Sequence, residues 1–548
     1  MTDAEPGRQI PWLFVMTTAA ALIVAALIVA AALVLDNGHL VYLTDDPGIH
    51  LSIVNNLVRH GTWGVVPGQF ESASSSPGWT LILAGFTAVL PPLANALPLI
   101  ANLVAGVWLI WIFTRHQRLI DLNDRSWTAA ALAVVLGVLV LYVPALALLG
   151  MEHTLQCALV LYAFVLFERL QHRELTVRAL VPLSAVVLLG STVRFETAFV
   201  AAGFALAFLV GTTMRLGDDE TRQRWTRLQA LRAAVLVSVA GLAPIFVLGL
   251  LDLAFNRGFF PNSIVTKSAL SNRSNAVSYI KSPHDLVAAI EKDPVVLACS
   301  LIALCFLIWA WCGGPRRLAA PVLAYFVTVL LHANFADFGW YERYQTYLVV
   351  VGVFLVFQIL AEIVPIDFRA AAKVALVLVI LALSLSRITL TAEAPRASSN
   401  TYRQRYQLGK FFEREYAHQA VATTELGYPS LFHEGLIVDL VGLGSHDVLD
   451  IVQGPGLDAQ RMATLLDAKG AKVFVAFGEY PLRPKGWVPV GVWILDERLV
   501  PGPFGRNLDF FAPPGASADA LRTKLHRFQP DLPSRVTVLY PRPDVKPD

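Results

Sequence analysis

Apolar runs long enough to cross a lipid bilayer recur along the first 389 residues of this chain. A bilayer core takes roughly 20 apolar residues of helix. By that measure about 11 segments qualify: residues 11–35, 95–114, 127–149, 153–168, 179–193, 197–214, 234–255, 295–312, 318–333, 346–364 and 371–389. Composition agrees, since only 15% of the 548 residues are charged. A soluble globular chain carries about 25%. A disordered chain, a fibrous repeat and an ordinary soluble enzyme are therefore excluded. The formal net charge of +2 provides no basic surface for a nucleic acid.

Loop charge orients the bundle, because basic loops stay on the cytoplasmic side. With the N-terminus inside, one side holds Arg115, Arg118 and Arg125, then Arg169, Arg173 and Arg178. The five arginines from Arg215 to Arg232 follow, then Arg316, Arg317, Arg369 and Lys373. The apolar stretch Trp79 to Leu90 is read as a juxtamembrane or re-entrant piece, because a full span there would invert every later loop. The outer side then receives residues 36–94, 256–294 and everything after about 390. The N-terminal run, Pro11 to Leu35, is too long for a signal-peptide core and is read as a retained first span.

Residues 390–548 differ in kind. They mix polar and apolar positions and carry strand-length runs at 421–424, 436–440 and 472–476, with a helix from Asp458 to Lys469. The expected architecture is a helical membrane module, 1–389, followed by an extracytoplasmic α/β domain, 390–548. The four cysteines all lie in apolar runs without a C-x-x-C pair, so a disulfide framework or zinc site is not expected.

The outer loop 36–94 is the most informative stretch. Asp45 and Asp46 follow the first span directly, and the Ile49–Ile53–Leu57 spacing predicts an amphipathic helix over 47–58, lying in the outer interface. A plain alternative is that Asp46, before Pro47, only starts this helix. Glu71 and the Ser-Ser-Ser-Pro-Gly-Trp run at 74–79 come later in the same loop.

The Thr-Asp-Asp start, the amphipathic helix and the Glu-x-x-Ser-Ser-Ser-Pro-x-Trp run together resemble the GT-C glycosyltransferases. The nearest resemblance is to the branch with a D-D-A-Y-I-type first loop, which includes the mycobacterial arabinofuranosyltransferases. Gly150-Met151-Glu152 is similar to the family's G-[LM]-E, and Arg194-Phe195-Glu196 to its R-P-E. Pro261-Asn262-Ser263 with Lys267 is similar to P-N-[ST]-x-x-x-K, and Arg343-Tyr344 to a late R-Y. Pro47-Gly48 stands where Ala-Tyr is usual, Phe195 where Pro is usual, and His50 where many members have another residue. The resemblance implies a multi-span enzyme that takes a sugar from a polyprenyl-phosphate carrier and inverts the anomeric centre.

The residue types suit that chemistry independently. Transfer to a hydroxyl needs a carboxylate base, here Asp45 or Asp46, with Asp45 favoured as the family's first position. A phosphate leaving group needs cations, here Arg194, Lys267 and Arg343. Donor or substrate contacts are expected from His50, Glu71, Glu152, Arg194, Glu196, Lys267, Arg343 and Tyr344. Arg194 and Glu196, or Glu342 and Arg343, could instead simply pair. A divalent cation on Asp45 and Asp46 is open, though hard cations want more oxygen ligands than this loop offers. The expected partners are the lipid bilayer, a polyprenyl-phosphate sugar and a glycan, lipid or protein acceptor of the cell envelope at the plasma membrane. Tyr428, His433 and His446 are places where the C-terminal domain could meet a glycan. A secondary transporter is the rival class, although no internal repeat is visible. A membrane sensor or scaffold would leave the outer charges without a role.

Overall fold

The computed structural model describes residues 11–211, 225–255, 258–259, 280–452, 458–500 and 505–540. Among these residues seven helices are long and apolar enough to cross a membrane, or eight if one bent pair counts as a span. Four shorter apolar helices, Pro77–Val89, Val177–Val193, Thr197–Gly211 and Ala319–Phe335, complete the bundle. Each expected apolar run is helical over its described residues, and the chain is a multi-pass membrane protein.

Helices Trp127–Leu149, His153–Leu170 and Thr346–Ile363 are largely buried, while Trp12–Leu35 and Arg227–Ala254 turn apolar side chains outward. An apolar outer face is stable where lipid replaces water. The helix Arg227–Ala254 starts with a capping box, in which Thr226 and Gln229 satisfy each other's backbone N–H groups.

One central helix is interrupted. Between Trp127 and Leu149 the backbone widens into a π-turn at Leu136–Val140, and Tyr142 then adopts a left-handed conformation before Pro144. Such breaks free backbone carbonyls for other donors. A second break, of 63°, separates Ile366–Leu383 from Leu385–Tyr416. The latter helix carries the chain straight from the bundle into the C-terminal domain.

That domain holds a six-stranded sheet in the order β2-β1-β3-β5-β4-β6. The strands are β1 (Val421–Thr423), β2 (Ile437–Asp439), β3 (Phe474–Phe477), β4 (Val488–Leu495), β5 (Asn507–Ala512) and β6 (Val536–Leu539). The first three pair in parallel and the rest antiparallel. The strands expected at 421–424, 436–440 and 472–476 are β1, β2 and β3, and the expected helix is Ala459–Ala468, capped by Asp458. The last three strands escaped the sequence reading because Pro489, Gly491 and polar positions break their alternation.

The domain does not hang free of the bundle. Its core of Leu408, Phe411, Phe412, Trp493 and Phe510 continues into Ile49, Ile53, Val65, Val66 and Ala73 of the first loop. The amphipathic helix is present as Asp46–His60, and its apolar side chains pack on protein. Ile49 and Ile53 face the domain core, while Val54 packs with Trp79, Leu83 and Leu97. Both faces are covered because this helix is the joint between two bodies.

Candidate active site

The two adjacent carboxylates of the first loop have different surroundings. Asp45 is buried, and its oxygens accept the backbone N–H groups of Gly427 at 2.5 Å and Tyr428 at 2.8 Å. It thus caps a helix of the C-terminal domain, Gly427–Phe432, from across the junction. Burial pushes its carboxyl up against the pull of those two donors. The approach is tight: a Cβ added to Gly427 would lie 1.9 Å from the Asp45 carbonyl oxygen. Tyr428 adds a second tie, its hydroxyl accepting the Tyr42 N–H at 2.9 Å.

Asp46 sits one residue on, with its side chain about one-fifth exposed, and pairs with Arg343, 297 positions away. Neither Asp caps its own helix: Asp45 occupies the cap position without a side-chain bond. Asp46 is nevertheless the first residue of that helix, directly before Pro47, so the plain helix-start reading holds for its place and the pair with Arg343 comes in addition.

Arg343 is held in an unusual way. The preceding Trp340, Tyr341 and Glu342 all have positive φ, at 50°, 63° and 60°. Such conformations are costly for residues with side chains and persist only where surroundings impose them. Gln345 accepts from the Gly339 N–H at 2.9 Å and donates to the Glu342 carboxylate, while Thr346 bonds the Glu342 carbonyl. The turn sends Glu342 to Gln345 and Ser386, and Arg343 to Asp46. Glu342 and Arg343 are not a local ion pair.

The Arg343 side chain is 1% exposed. Its guanidinium lies 4.9 Å from the Tyr344 ring centroid and 5.6 Å from that of Trp340. Nη2 also reaches the Tyr344 hydroxyl at 3.0 Å. Among the described residues, Nε and Nη1 have no hydrogen-bond partner. Burial opposes its charge, but Tyr344 and Asp46 outweigh burial and keep it firmly cationic.

A second charged set adjoins through Tyr344, whose ring also lies 5.4 Å from the Arg194 guanidinium. Arg194 donates to Glu152 at 2.8 Å and pairs with Glu196. The simple pairing of Arg194 with Glu196 is thus real, and Glu152 extends it. Burial alone would raise the Glu152 carboxyl, but the Arg194 guanidinium bonded to it holds it below the usual range. His50 stands 4.0 Å from Glu152 and 2.9 Å from the Thr80 hydroxyl.

Other assignments change. Glu71 is buried beside Gly444 of the C-terminal domain. Lys267, with Pro261-Asn262-Ser263, lies outside the described residues. Tyr428 is spent on the Tyr42 N–H, and His433 is buried with Nε2 at the Gln419 carbonyl, so neither stands open at the surface to a glycan. His446 stands half-buried at the start of the helix His446–Val452. Asp252 binds Ser72 of the first loop, through 2.6 and 2.8 Å bonds. His332 is a packing residue, bonded to Tyr347 and the Asp337 carbonyl.

His153 escaped the sequence reading. It is buried, its ring lies 5.9 Å from that of Tyr344, and both nitrogens lack a partner among the described residues. Its place directly after Glu152 was the available signal. A divalent cation does not fit Asp45 and Asp46, because Asp45 faces N–H donors and Asp46 faces a guanidinium. Among the described residues no group of three or more His, Cys, Asp or Glu could hold a metal ion.

Comparison with solved structures places the architecture. Over 96% of its length the chain follows the apo oligosaccharyltransferase of Archaeoglobus fulgidus, with a TM-score of 0.52, 12% identity and 79% of that chain covered. The fold is GT-C-like. ArnT from Cupriavidus metallidurans, solved with undecaprenyl phosphate, matches 92% of this chain and 98% of its own, at a TM-score of 0.49 and 13% identity. Residues 396–512 match a domain family of unknown function, DUF8728. No curated protein matches the sequence. At these identities the likeness is one of GT-C-like fold alone, so the chemistry must be argued from the side chains.

Proposed function

We propose that this protein is a membrane glycosyltransferase that moves a sugar from a polyprenyl-phosphate donor to a cell-envelope acceptor at the outer face of the plasma membrane. One observation carries the reading: the buried guanidinium of Arg343 uses one nitrogen on Asp46 and Tyr344 and leaves two donors open. A buried charge with unpaired donors is unfavourable unless a ligand completes it. A phosphate oxygen is the fitting complement.

In this mechanism the donor phosphate engages Nε and Nη1 of Arg343, with Lys267 as a second cation. Asp46 stays on Nη2, beside the reacting carbon. The acceptor hydroxyl oxygen attacks the anomeric carbon while Asp46 takes its proton. The bond from that carbon to the phosphate oxygen breaks, and the electron pair leaves with the phosphate, whose charge Arg343 stabilises. One displacement inverts the centre, as the family resemblance implies. The role of base moves from Asp45 to Asp46, since two N–H bonds already claim Asp45. Glu152, Arg194 and Glu196 hold the Tyr344 wall.

Membranes carrying the protein, incubated with labelled polyprenyl-phosphate sugars, test the reading. Release of one label to an acceptor is expected, and retention of every label on its carrier would overturn it. Orientation is tested in a cysteine-free background. Cysteines at the exposed positions His60 and Ala468 should react with an impermeant reagent on intact cells, and one at Glu174 only after lysis. Labelling in the reverse pattern would invert the topology.

A further inference from the structure

The helix that carries the chain from the bundle into the C-terminal domain changes character along one face. Ile388, Ala392, Arg396, Ser399 and Arg403 recur every three or four residues, so one stripe runs from apolar to cationic. Two hollows follow that stripe. The first is an apolar groove of about 310 Å³ between this helix and the first span. Leu27 and Ile28 line it from the span, Ile388 and Thr391 from the helix, and Val138 and Leu139 from the π-turn. The second is a cavity of about 320 Å³ beside Leu35, the last residue of the first span, and therefore at the membrane boundary. Glu393, Arg396 and Arg403 line it from the helix, and Glu497 and Arg535 from the C-terminal domain. Ala392 and Pro395 belong to both hollows, which thus form one continuous furrow.

The furrow is separate from the proposed reaction centre. The opposite face of the same helix serves that side, where Thr401 donates to the Leu43 carbonyl at 3.0 Å. Each hollow has the volume of a small-molecule site. Leu27 is 65% exposed, so the groove opens towards lipid rather than into the bundle.

Charge decides what suits the boundary cavity. Glu393 is claimed by Arg396 at 2.7 Å and by Arg498 at 2.5 Å. Glu497 is claimed by Arg403 at 2.5 Å and by Arg535 at 3.3 Å. Each carboxylate is thus shared by two guanidiniums, and the cavity has an excess of positive charge. Asp36, next to Leu35, changes this little: it bonds Ser398, and burial pushes its carboxyl up to about 7. The Arg403 side chain is only 9% exposed, and its Nε has no hydrogen-bond partner among the described residues. A buried guanidinium with a spare donor is completed best by a phosphate or carboxylate oxygen.

Shape and charge together fix the occupant. A soluble anion would leave the apolar groove unfilled. A zwitterionic lipid would bring its own cation against the arginines. We propose that this furrow binds one anionic phospholipid of the surrounding bilayer, its phosphate against Arg396, Arg403 and Arg535 and an acyl chain along the groove. Such a lipid touches the first span, the connecting helix and the C-terminal domain at once, and so braces the domain on the bundle. The inference needs only the membrane architecture and does not depend on the glycosyltransferase reading.

Native mass spectrometry of the full chain, released from detergent micelles, tests it. The probes are dioleoyl phosphatidylglycerol, dioleoyl phosphatidylcholine, glycerol phosphate without tails, and polyprenyl phosphate. Phosphatidylglycerol should bind about tenfold tighter than either phosphatidylcholine or glycerol phosphate. It should also raise the thermal unfolding temperature, which the other two should not. Ala392→Trp, which fills the join of the two hollows, and the double variant Arg396→Gln/Arg535→Gln should each weaken phosphatidylglycerol binding about tenfold. All three positions are exposed, so these proteins should fold. Polyprenyl-phosphate binding should stay within about twofold of wild type in both. Equal binding of the two phospholipids, or phosphatidylglycerol binding indifferent to both variants, would overturn the proposal. Parallel loss of polyprenyl phosphate would also overturn it, by making the furrow part of the donor's site.

Discussion

Arg343 and Arg387 make an instructive pair. Both side chains are at most 2% exposed, and both guanidiniums lie 4.9 Å from a tyrosine ring centroid. Arg387 is closed on itself. It donates to the Leu139 carbonyl, freed by the π-turn of its helix, and to Asp293 and Thr346. Gln345 ties Asp293 to Glu342 and completes the network. Arg343 makes its ion pair and then stops, with two donors unused. Similar burial and equal charge therefore do not mean equal roles. The satisfied arginine holds helices together, and the unsatisfied one is the proposed phosphate contact.

The largest expected effect tests the open side of this contrast. Asp46→Asn should lower transfer by about 10²–10⁴-fold, by loss of the base. Arg343→Gln should lower it by about 10²–10³-fold, by loss of the phosphate contact. Both proteins should remain folded by thermal unfolding in detergent. Near-normal turnover in both would make Arg343 another structural arginine.

The closed side should respond in the opposite sense. Arg387→Met leaves Asp293 without its cation and should destabilise the fold by about 3–5 kcal/mol. Turnover per folded molecule should stay within about twofold of wild type, because no ligand atom is proposed there. A selective loss of kcat with unchanged stability would erase the distinction.

His153 shares the open character of Arg343 without its charge. His153→Phe keeps the ring and removes both nitrogens, so it should raise the donor KM about tenfold with little change in stability. An unchanged KM would mark His153 as packing.

The junction beneath Asp45 is a third kind of buried polar contact, satisfied but dependent on the domain. Gly427→Ala forces a Cβ into the Asp45 carbonyl and should loosen the domain from the first loop. Faster proteolytic release of the domain, with weakened polyprenyl-phosphate binding, is the expected readout. The same contact carries a pH signature through Glu425. Burial, against the pull of Arg405, pushes its carboxyl from about 4.5 up to about 8. Folding therefore favours the protonated form, so its contribution to stability is full below about 4.5 and is lost as pH rises through about 8. Thermal stability should fall across that window, and Glu425→Gln should flatten the slope.

The membrane spans were legible because their signal is local. A bilayer of fixed thickness demands a fixed length of apolar helix, and no distant residue is needed to recognise it. The parallel strands β1, β2 and β3 were legible for a similar reason, as short apolar runs bounded by turns. The strands β4, β5 and β6 were not, since sheet pairing rather than pattern holds them.

The residue types of the site were also written in the chain: paired carboxylates after a span, Glu152, Arg194, and Arg343 with Tyr344. Their assignment to partners was not. Asp45 and Asp46 are neighbours with the same side chain, and nothing local separates them. One meets N–H groups 382 and 383 positions away, and the other a guanidinium 297 positions away. The left-handed turn that aims Arg343 was equally hidden, because it uses Trp, Tyr and Glu where glycine would be the usual sign. Sequence alone determined the bundle, the separate character of the last 150 or so residues and the kinds of charge at the span ends. Tertiary packing alone decided which carboxylate is capped, which arginine is left open and that the first loop shares its core with the C-terminal domain. The physical reason is range: hydrophobic length and periodicity are read over a few turns of chain, whereas burial and pairing of a charge depend on whatever distant segment folds against it.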